Sequence, residues 1–190
     1  CMIKKTLNQN AKYAQEFMKT IETDFIFSDK PINRFKVNLT ENKNTLINKN
    51  KLLNDLKTKI NSIENCNLKN NSKSLVLGEG NINADVMLIG ETPGEIEDKT
   101  GLCFQGEVGN LLNKMLLAIN IKRENIYTTY SINFRPPEDR KPTGQEIKRY
   151  AIFLKEHIAI IDPKILILMG STSMEAITGL SKISNERGKW

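Results

Sequence analysis

The apolar residues of the first third of the chain follow two helical patterns separated by a polar stretch. Residues 3–23 and 52–63 each carry apolar side chains at helical spacing, which predicts two amphipathic helices. Residues 24–50 are rich in Asn and Lys and show no sustained period, which predicts an irregular connector. The composition then changes near residue 64. We therefore expect a basic, helical and irregular extension over residues 1–63 and a compact domain over residues 64–190.

From Leu75 onward the pattern alternates between short apolar runs and amphipathic segments. Strands are predicted over 85–89, 126–132 and 163–169, and helices over 109–119, 144–161 and 171–177. Thr143 is expected to cap the helix that follows it. Strands joined by helices imply an α/β fold, a three-layer α/β/α sandwich around a central, mainly parallel sheet. Ligands of such folds bind at the carboxyl ends of the strands, here Gly90-Glu91, residues 130–133 and Gly170-Ser171.

Length, hydropathy and charge narrow the class of protein. The two most apolar runs, Val86–Ile89 and Ile165–Met169, are too short to cross a bilayer and are interpreted as buried strands. The amino terminus lacks an apolar signal core, which predicts a cytoplasmic protein. The 190 residues carry a net charge of +6, which favours a polyanionic partner through counterion release. Mutational bias in an AT-rich coding sequence would equally explain the excess of Lys.

A loop after the first apolar strand carries the strongest candidate chemistry. Gly90–Asp98 reads Gly-Glu-Thr-Pro-Gly-Glu-Ile-Glu-Asp, in which glycines and a proline define a tight turn with backbone N–H groups beside carboxylates. Taken alone, this is either an anion-binding turn or an ordinary strand-to-helix turn with solvated acids. Three further motifs follow it in order, Gly101–Gly109, Arg135–Thr143 and Glu186–Trp190.

This ordered set resembles the family 4, iron–sulfur type uracil-DNA glycosylases and their cluster-lacking relatives, over roughly residues 64–190. The resemblance implies the glycosylase α/β/α sandwich and removal of uracil, or a related deaminated base, from DNA in base excision repair. It also implies a pocket that takes up a base from the DNA stack and binds it by stacking and polar contacts. Phe104 matches the stacking residue. The other positions implied to bind the base are Gly90, Thr92, Pro93, Gly94 and Tyr130.

The resemblance also implies catalytic and DNA-binding residues. Glu91 and Glu97 are the candidate catalytic carboxylates, which would orient water or stabilise positive charge on the sugar. Either carboxylate could instead be a structural hydrogen-bond partner. The residue after the motif glutamate is Thr92, so no general base is directly attached to the motif there. Arg135, Arg140 and Lys141 are the candidate ligands of DNA phosphates.

The sequence departs from the family at the residue that reads the base. Family members usually carry Asn at the position of Tyr130, where a side-chain amide pairs with uracil. A phenol offers one rotatable hydroxyl and a large ring, so it cannot reproduce the paired donor and acceptor of an amide. Asn133 lies three residues further on and could replace the missing amide only if the strand end bends differently.

The family's iron–sulfur cluster needs four cysteines, and the matching positions here are Ile63, Cys66, Phe134 and Tyr150. One thiolate cannot hold a cluster, so we expect no metal and no cofactor, and these side chains should pack as a small core. Cys103 stands where the family commonly has Pro, and it is interpreted as a small hydrophobic residue.

The family's downstream His-Pro loop has no counterpart before Trp190, and the glycosylase-like domain is expected to be truncated there. His157 is expected to be a surface or core-edge residue rather than a catalyst. The leading hypothesis is a monomeric enzyme acting on DNA, with no membrane association. One alternative is a catalytically degenerate glycosylase-fold domain that binds DNA without base removal. A third is a small-molecule hydrolase using the same strand ends.

Overall fold

The computed structural model describes residues 39–186, with side chains described from residue 48 onward. The helix predicted over residues 3–23 lies outside the described residues, as do residues 24–38 of the predicted connector and residues 187–190 of the last motif. Residues 39–186 belong to one compact unit. The predicted division after residue 63 remains a prediction.

Within the part of the chain that the structure describes, four strands form a single mixed sheet. They are β1 (Glu79–Gly80), β2 (Val86–Gly90), β3 (Tyr127–Tyr130) and β4 (Ile165–Leu168), arranged in the order β1-β3-β2-β4. Strand β2 lies at the centre and pairs in parallel with β3 and β4, whereas β1 pairs antiparallel with β3. The predicted mainly parallel sheet is therefore confirmed. The sequence pattern did not predict β1, because a strand of this length leaves no recognisable period.

Seven α-helices are assigned within residues 39–186. They are α1 (Leu39–Asn61), α2 (Asn67–Asn71), α3 (Glu95–Thr100), α4 (Gly106–Ala118), α5 (Gly144–Ile161), α6 (Ser171–Thr178) and α7 (Ile183–Glu186). Helix α5 has the predicted bounds and the predicted cap. The Thr143 hydroxyl accepts the backbone N–H of Glu146 at 3.3 Å, and the Glu146 carboxylate accepts the N–H of Thr143 at 2.7 Å. This reciprocal capping box satisfies two donors that the helix would otherwise leave unpaired.

Helix α1 begins at Leu39, so the prediction of an irregular connector was wrong for residues 39–50. Asn has a low helix propensity, but tertiary packing commonly overrides propensity in a long helix. Leu53, Leu56 and Ile60 on α1 are buried in the core. Nearby, the Lys49 ammonium donates to the backbone carbonyl of Ile161 at 2.7 Å.

The sheet separates two hydrophobic cores, which gives the predicted three layers. Side chains alternate between the faces of a strand. On one face Met87 and Ile89 of β2 pack with residues of α1, α5 and α6. On the other face Leu88 of β2 packs with Leu112 and Leu116 of α4.

Strand β4 was predicted to be buried, and this was wrong. Ile165, Leu166 and Ile167 are 45%, 36% and 36% exposed. Within the described residues β4 pairs with β2 along one side only, so it lies at the edge of the sheet. An edge strand has no neighbour to cover its outer flank, and its apolar side chains remain partly open to solvent. Within residues 39–186, every helix is either too short or too polar to span a bilayer.

Candidate active site at the strand ends

The carboxyl ends of the three longer strands converge. Gly90 at the end of β2 pairs with Tyr130 at the end of β3, and Ile89 pairs with Leu168 of β4. The chain then turns after Gly90, where the Glu91 carbonyl accepts the Ser131 hydroxyl at 2.6 Å. The loop that carries the candidate chemistry is thus attached directly to the end of β3.

The carboxylate of Glu91 lies at the amino terminus of α6. Its Oε1 accepts the backbone N–H of Thr172 at 2.9 Å and the hydroxyl of Ser171 at 3.3 Å. A carboxylate in this position is stabilised by unpaired backbone donors and by the helix dipole. Gly170 has φ +99°, and a Cβ there would lie 2.4 Å from Cδ of Glu91. The close approach of the carboxylate therefore requires glycine at this position.

The buried carboxylate of Glu97 connects two loops of the site. Its Oε2 accepts the backbone N–H of Gly94 at 3.0 Å, and its Oε1 accepts the N–H of Gln105 at 2.8 Å. The sequence left open whether Glu97 is catalytic or a structural hydrogen-bond partner, and these two contacts are structural. The N–H of Gly94 is thereby engaged with protein rather than directed at a ligand.

Sequence reasoning missed the neighbouring carboxylate of Asp98, which is also buried. Its Oδ1 accepts the backbone N–H groups of Lys73 and Ser74 at 2.8 and 3.1 Å, together with the Ser72 hydroxyl. The Glu-Asp pair within the motif was visible in the sequence. Its partners come from a segment distant in sequence, so no local pattern could reveal the contact.

Phe104, the predicted stacking residue, is held in a left-handed backbone conformation with φ +49°. For a residue other than glycine this conformation costs about 1–2 kcal/mol. Its N–H donates to the Tyr130 hydroxyl at 3.0 Å. A Cβ at Gly109 would lie 1.8 Å from the Phe104 carbonyl oxygen, so α4 packs directly against this backbone. Such strain persists only where the surroundings over-determine the conformation, and it is concentrated at functional sites.

The ring of Tyr130 stacks on the ring of Phe104, with centroids 4.9 Å apart and planes inclined by 27°. The two residues are 5% and 6% exposed, so neither ring is open to solvent. Burial raises the pKa of the Tyr130 phenol, which keeps it neutral. A Cβ at Gly90 would lie 2.8 Å from atoms of both rings. Tyr130 thus places a flat ring against the Phe104 ring and an oxygen acceptor on the Phe104 N–H. A pyrimidine base has the same two features, a flat ring and oxygen acceptors.

Asn133 does not replace the missing amide. Its side-chain nitrogen donates to the backbone carbonyls of Val76 and Leu77 at 2.9 and 3.3 Å, and the residue is buried. The amide thus binds the segment before β1 and is not free to read a base.

The candidate phosphate ligands Arg135 and Arg140 are both paired with carboxylates. Arg135 binds Asp139 through two hydrogen bonds of 2.7 and 2.8 Å, which hold the pKa of Asp139 below its usual value. Arg140 binds Glu146 in the same manner at 2.9 and 2.7 Å, and these hydrogen bonds lower the pKa of Glu146 to about 2. The third candidate, Lys141, is exposed.

A further cation, Arg123, lies beside Phe104 and was missed by the sequence analysis. It belongs to a short 3₁₀ turn before β3. Its Nη2 donates to the Glu79 carboxylate at 3.0 Å, the Cys103 carbonyl at 3.1 Å and the Thr128 hydroxyl at 3.3 Å. The guanidinium carbon lies 5.5 Å from the centroid of the Phe104 ring. In the sequence Arg123 stands between Lys122 and Glu124, and no local pattern distinguishes it from an ordinary charged residue of the surface.

The four positions that match cluster ligands lie together as predicted. The sulfur of Cys66 is 3.2 Å from the hydroxyl oxygen of Tyr150. The rings of Phe134 and Tyr150 meet edge to face, with centroids 6.3 Å apart, and Ile63 packs against the same core. These residues do not fit an iron–sulfur cluster, because a single thiol is available where four are needed. Within residues 39–186 no group of three or more His, Cys, Asp or Glu side chains is arranged to bind a metal ion.

His157 and Cys103 are core residues. His157 is buried, so its expected surface or core-edge location was wrong, and its Nε2 lies 2.9 Å from the Tyr127 hydroxyl. Burial lowers the pKa of His157 to about 4, which keeps the imidazole neutral. Burial also raises the pKa of the Cys103 thiol, so this thiol is unreactive.

Comparison with known proteins places this geometry in context. The sequence model of the uracil DNA glycosylase superfamily matches residues 77–190. A type-4 uracil-DNA glycosylase of Thermotoga maritima is 38% identical over 119 residues, which cover 63% of this chain and 62% of that protein. A type-4 uracil-DNA glycosylase of Archaeoglobus fulgidus is 33% identical over 142 residues, which cover 72% and 71%. A DNA polymerase of Bacillus phage SP01 is 32% identical over 113 residues, only 12% of its length. The chain thus spans between 62% and 71% of these two glycosylases.

Proposed function

Because this chain belongs to the uracil DNA glycosylase superfamily, we propose that it is a DNA glycosylase-type hydrolase that removes uracil, or a related deaminated base, in base excision repair. The observation that carries the proposal is the length of chain that matches the sequence model of the superfamily. Residues 77–190 include the loop Gly90–Gly94, Phe104 and Tyr130. The relatives named uracil-DNA glycosylase support the same reaction class.

In the proposed reaction the bond from C1′ of the deoxyribose to the base nitrogen breaks, N1 in uracil or N9 in hypoxanthine and xanthine, and the base leaves as an anion. The oxygen of a water molecule bonds to C1′, and the proton that this water loses ends on the departed base. Two kinds of group lower the barrier, carboxylates that stabilise positive charge on the sugar and N–H donors that stabilise the leaving base. We assign Glu91 to the first role. Its Oε1 is held by the amino terminus of α6, so the carboxylate is fixed in one orientation. Glu97 supports the loop by accepting the N–H groups of Gly94 and Gln105.

Base binding at Phe104 requires movement of Tyr130. The Tyr130 ring already stacks on Phe104 at 4.9 Å and accepts its N–H. A flipped base that uses the same ring face must displace the phenol, and the free energy of separating the two rings then reduces the affinity for the base. Tyr130 is therefore assigned to base selection rather than to direct reading by a paired donor and acceptor.

The proposed partner is DNA, bound through phosphate contacts of Arg135, Arg140 and Lys141. The two arginines would exchange Asp139 and Glu146 for phosphate oxygens when DNA binds. Phosphate contacts release counterions, so affinity for an oligonucleotide should fall steeply with added salt. A titration at several salt concentrations tests this, and an affinity unchanged up to physiological salt would exclude these cations as the binding surface.

The reaction is tested with single-stranded and duplex oligonucleotides that contain uracil, hypoxanthine or xanthine, followed by cleavage of abasic sites. Release of one base class by the full chain supports the proposal. Phe104→Ala should abolish release, whereas Lys155→Ala at an exposed position of α5 should not. Binding without release of any base would instead favour a non-catalytic DNA-binding domain. Hydrolysis of free nucleosides alone would favour a small-molecule hydrolase.

We also propose a monomer that acts in the cytoplasm, with residues 64–190 as the glycosylase-like domain. The free thiols of Cys66 and Cys103 are both buried and suit a reducing compartment. Sedimentation of the purified chain tests the monomer, and a mass of twice 21.6 kDa would contradict it.

A further inference from the structure

We propose that Arg123 is a positioning residue, which holds the Phe104 ring and backbone in the geometry that receives the base. The inference rests on the proposed function, in which Phe104 stacks the base. Arg123 acts through Phe104 and is not assigned a contact with substrate.

The contacts of Arg123 join three separate parts of the fold beside Phe104. Its Nη2 reaches Glu79 on β1, Thr128 on β3 and the carbonyl of Cys103 in the loop before α4. One guanidinium thus connects the edge of the sheet to the residue that immediately precedes Phe104. Its carbon also lies 5.5 Å from the centroid of the Phe104 ring, within the range of a cation–π contact.

The backbone of Phe104 needs such a restraint. Its φ of +49° is unfavourable for an aromatic residue and persists only if neighbouring groups hold it. The Tyr130 hydroxyl accepts the N–H of Phe104, and Glu97 accepts the N–H of Gln105. Arg123 adds a restraint of a different kind, because it contacts both the Phe104 ring and the carbonyl before it. When a base displaces Tyr130, the contacts of Arg123 with the Phe104 ring and with the Cys103 carbonyl remain.

The contacts of this guanidinium favour a role inside the protein, because a single nitrogen donates to three acceptors from separate parts of the fold. The Arg123 and Glu79 side chains are 25% and 29% exposed, and they pair at 3.0 Å, so the positive charge is compensated inside the protein. Nη1 is buried and has no hydrogen-bond partner among the described residues. Lysine could not replace Arg123, since an ammonium lacks the planar fork that reaches ring and carbonyl together.

The test compares Arg123→Lys and Arg123→Met with Lys122→Ala, a neighbouring cation whose side chain is 71% exposed. For both Arg123 variants we expect kcat/KM for uracil release to fall, on the order of a hundredfold for Arg123→Met. Affinity for undamaged duplex and its salt dependence should stay unchanged, because no phosphate contact is lost. Lys122→Ala should leave kcat/KM unchanged. Loss of duplex affinity in step with kcat/KM would overturn the proposal.

A double-mutant cycle with Phe104→Leu separates positioning from general stability. If Arg123 acts through Phe104, Arg123→Lys lowers kcat/KM in the native background and has little further effect in the Phe104→Leu background. Equal factors in both backgrounds would overturn the proposal. A merely structural role would lower the melting temperature without this dependence on Phe104.

Hydrogen exchange tests the same inference without any assay of activity. Backbone amides of residues 102–106 should exchange faster in Arg123→Lys and Arg123→Met than in the native chain and in Lys122→Ala. Unchanged protection would overturn the positioning role whether or not base release is detected. Faster exchange in a chain that releases no base would retain Arg123 as the restraint on Phe104 and reject the proposed function instead.

Discussion

The strand-end site, formed by Gly90–Gly94, Phe104 and Tyr130, differs in kind from the Cys66 corner, formed by Ile63, Cys66, Phe134 and Tyr150. In the Cys66 corner the side chains at the cluster-ligand positions pack with the core, and the rings of Phe134 and Tyr150 meet edge to face. Side chains of ordinary core type thus occupy the positions where the family resemblance implies cluster ligands. The left-handed residue beside the Cys66 corner is Asn65, a type that adopts this conformation readily, whereas in the strand-end site it is the aromatic Phe104. A backbone conformation with a free-energy cost persists only where its surroundings hold it, and such conformations are concentrated at functional sites.

The groups around each region show the same difference. Next to the strand-end site, Glu97 and Asp98 are buried carboxylates, each bound to backbone N–H groups. Arg123 beside Phe104 has a buried nitrogen without a partner among the described residues. A polar contact in the Cys66 corner joins the Cys66 sulfur and the Tyr150 hydroxyl. Buried carboxylates and a guanidinium thus surround the first region, whereas apolar and aromatic packing fills the second.

Among the changes that test this comparison, Tyr130→Asn has the largest expected effect, a rise in the rate of uracil release. The amide restores a paired donor and acceptor and removes the ring that stacks on Phe104. Each hydrogen bond left unmade to a buried base costs about 1–3 kcal/mol, so uracil release should rise by up to roughly a hundredfold. The measurement is single-turnover release from a uracil oligonucleotide.

Tyr130→Phe is the matched control, because it keeps the stacked ring and removes only the oxygen that accepts the N–H of Phe104. It should give no gain. If the native chain already releases uracil well and Tyr130→Asn reduces that release, Tyr130 does not impair base reading.

Acid should destabilise the core that contains the Cys66 corner, through His157. The folded protein lowers the pKa of His157 to about 4 by burial, whereas an unfolded imidazole titrates near about 6.5. As the pH falls through this window the unfolded chain binds the proton first, so stability is lost there and is unaffected above it. At about pH 5 this loss should be about 2 kcal/mol.

Urea unfolding of the native chain and of His157→Gln at about pH 7 and about pH 5 measures this contribution. Gln is neutral and can still bond to the Tyr127 hydroxyl, so the variant should lose about 2 kcal/mol less on acidification. Carboxylates with lowered pKa, such as Glu146, also weaken the fold in acid, but they do so in both proteins. An identical acid loss in the two chains would show that His157 is not held neutral.

Cys66→Ala should have the smallest effect. The substitution removes a small buried side chain and a weak contact with the Tyr150 hydroxyl, so it should cost about 1 kcal/mol in unfolding free energy. Both proteins, purified without oxygen, should be colourless and lack stoichiometric iron and sulfide. Iron and sulfide in the native chain that disappear with Cys66→Ala would show that the Cys66 corner still binds a cluster.

Features with a local cause were predictable from the sequence. The start and the cap of α5 follow from Thr143 and Glu146, because a capping box involves residues three apart. The joining of strand ends at Gly90 and Tyr130 follows from the alternation of strands and helices. The packing of Cys66 with Phe134 and Tyr150 followed from the family resemblance rather than from spacing in this chain.

Features set by distant partners were not predictable. The start of α1 at Leu39 depends on the core that its later turns contact, and Asn-rich sequence conceals it. The exposure of Ile165 depends on the position of β4 in the strand order, which an apolar run does not reveal. Asp98 binds residues 72–74, and nothing near Asp98 in the sequence indicates that pairing.

The sequence by itself determined the alternation of the longer strands and helices and the residue types at the strand ends, because periodicity, capping and turn chemistry act over a few neighbours. Only the tertiary structure decided what those residues touch. Stacking of Tyr130 on Phe104, the anchoring of Glu91 at α6 and the contacts of Arg123 each join segments far apart in the chain. Such contacts depend on how β2, β3 and β4 bring their ends together, and no local pattern records that arrangement.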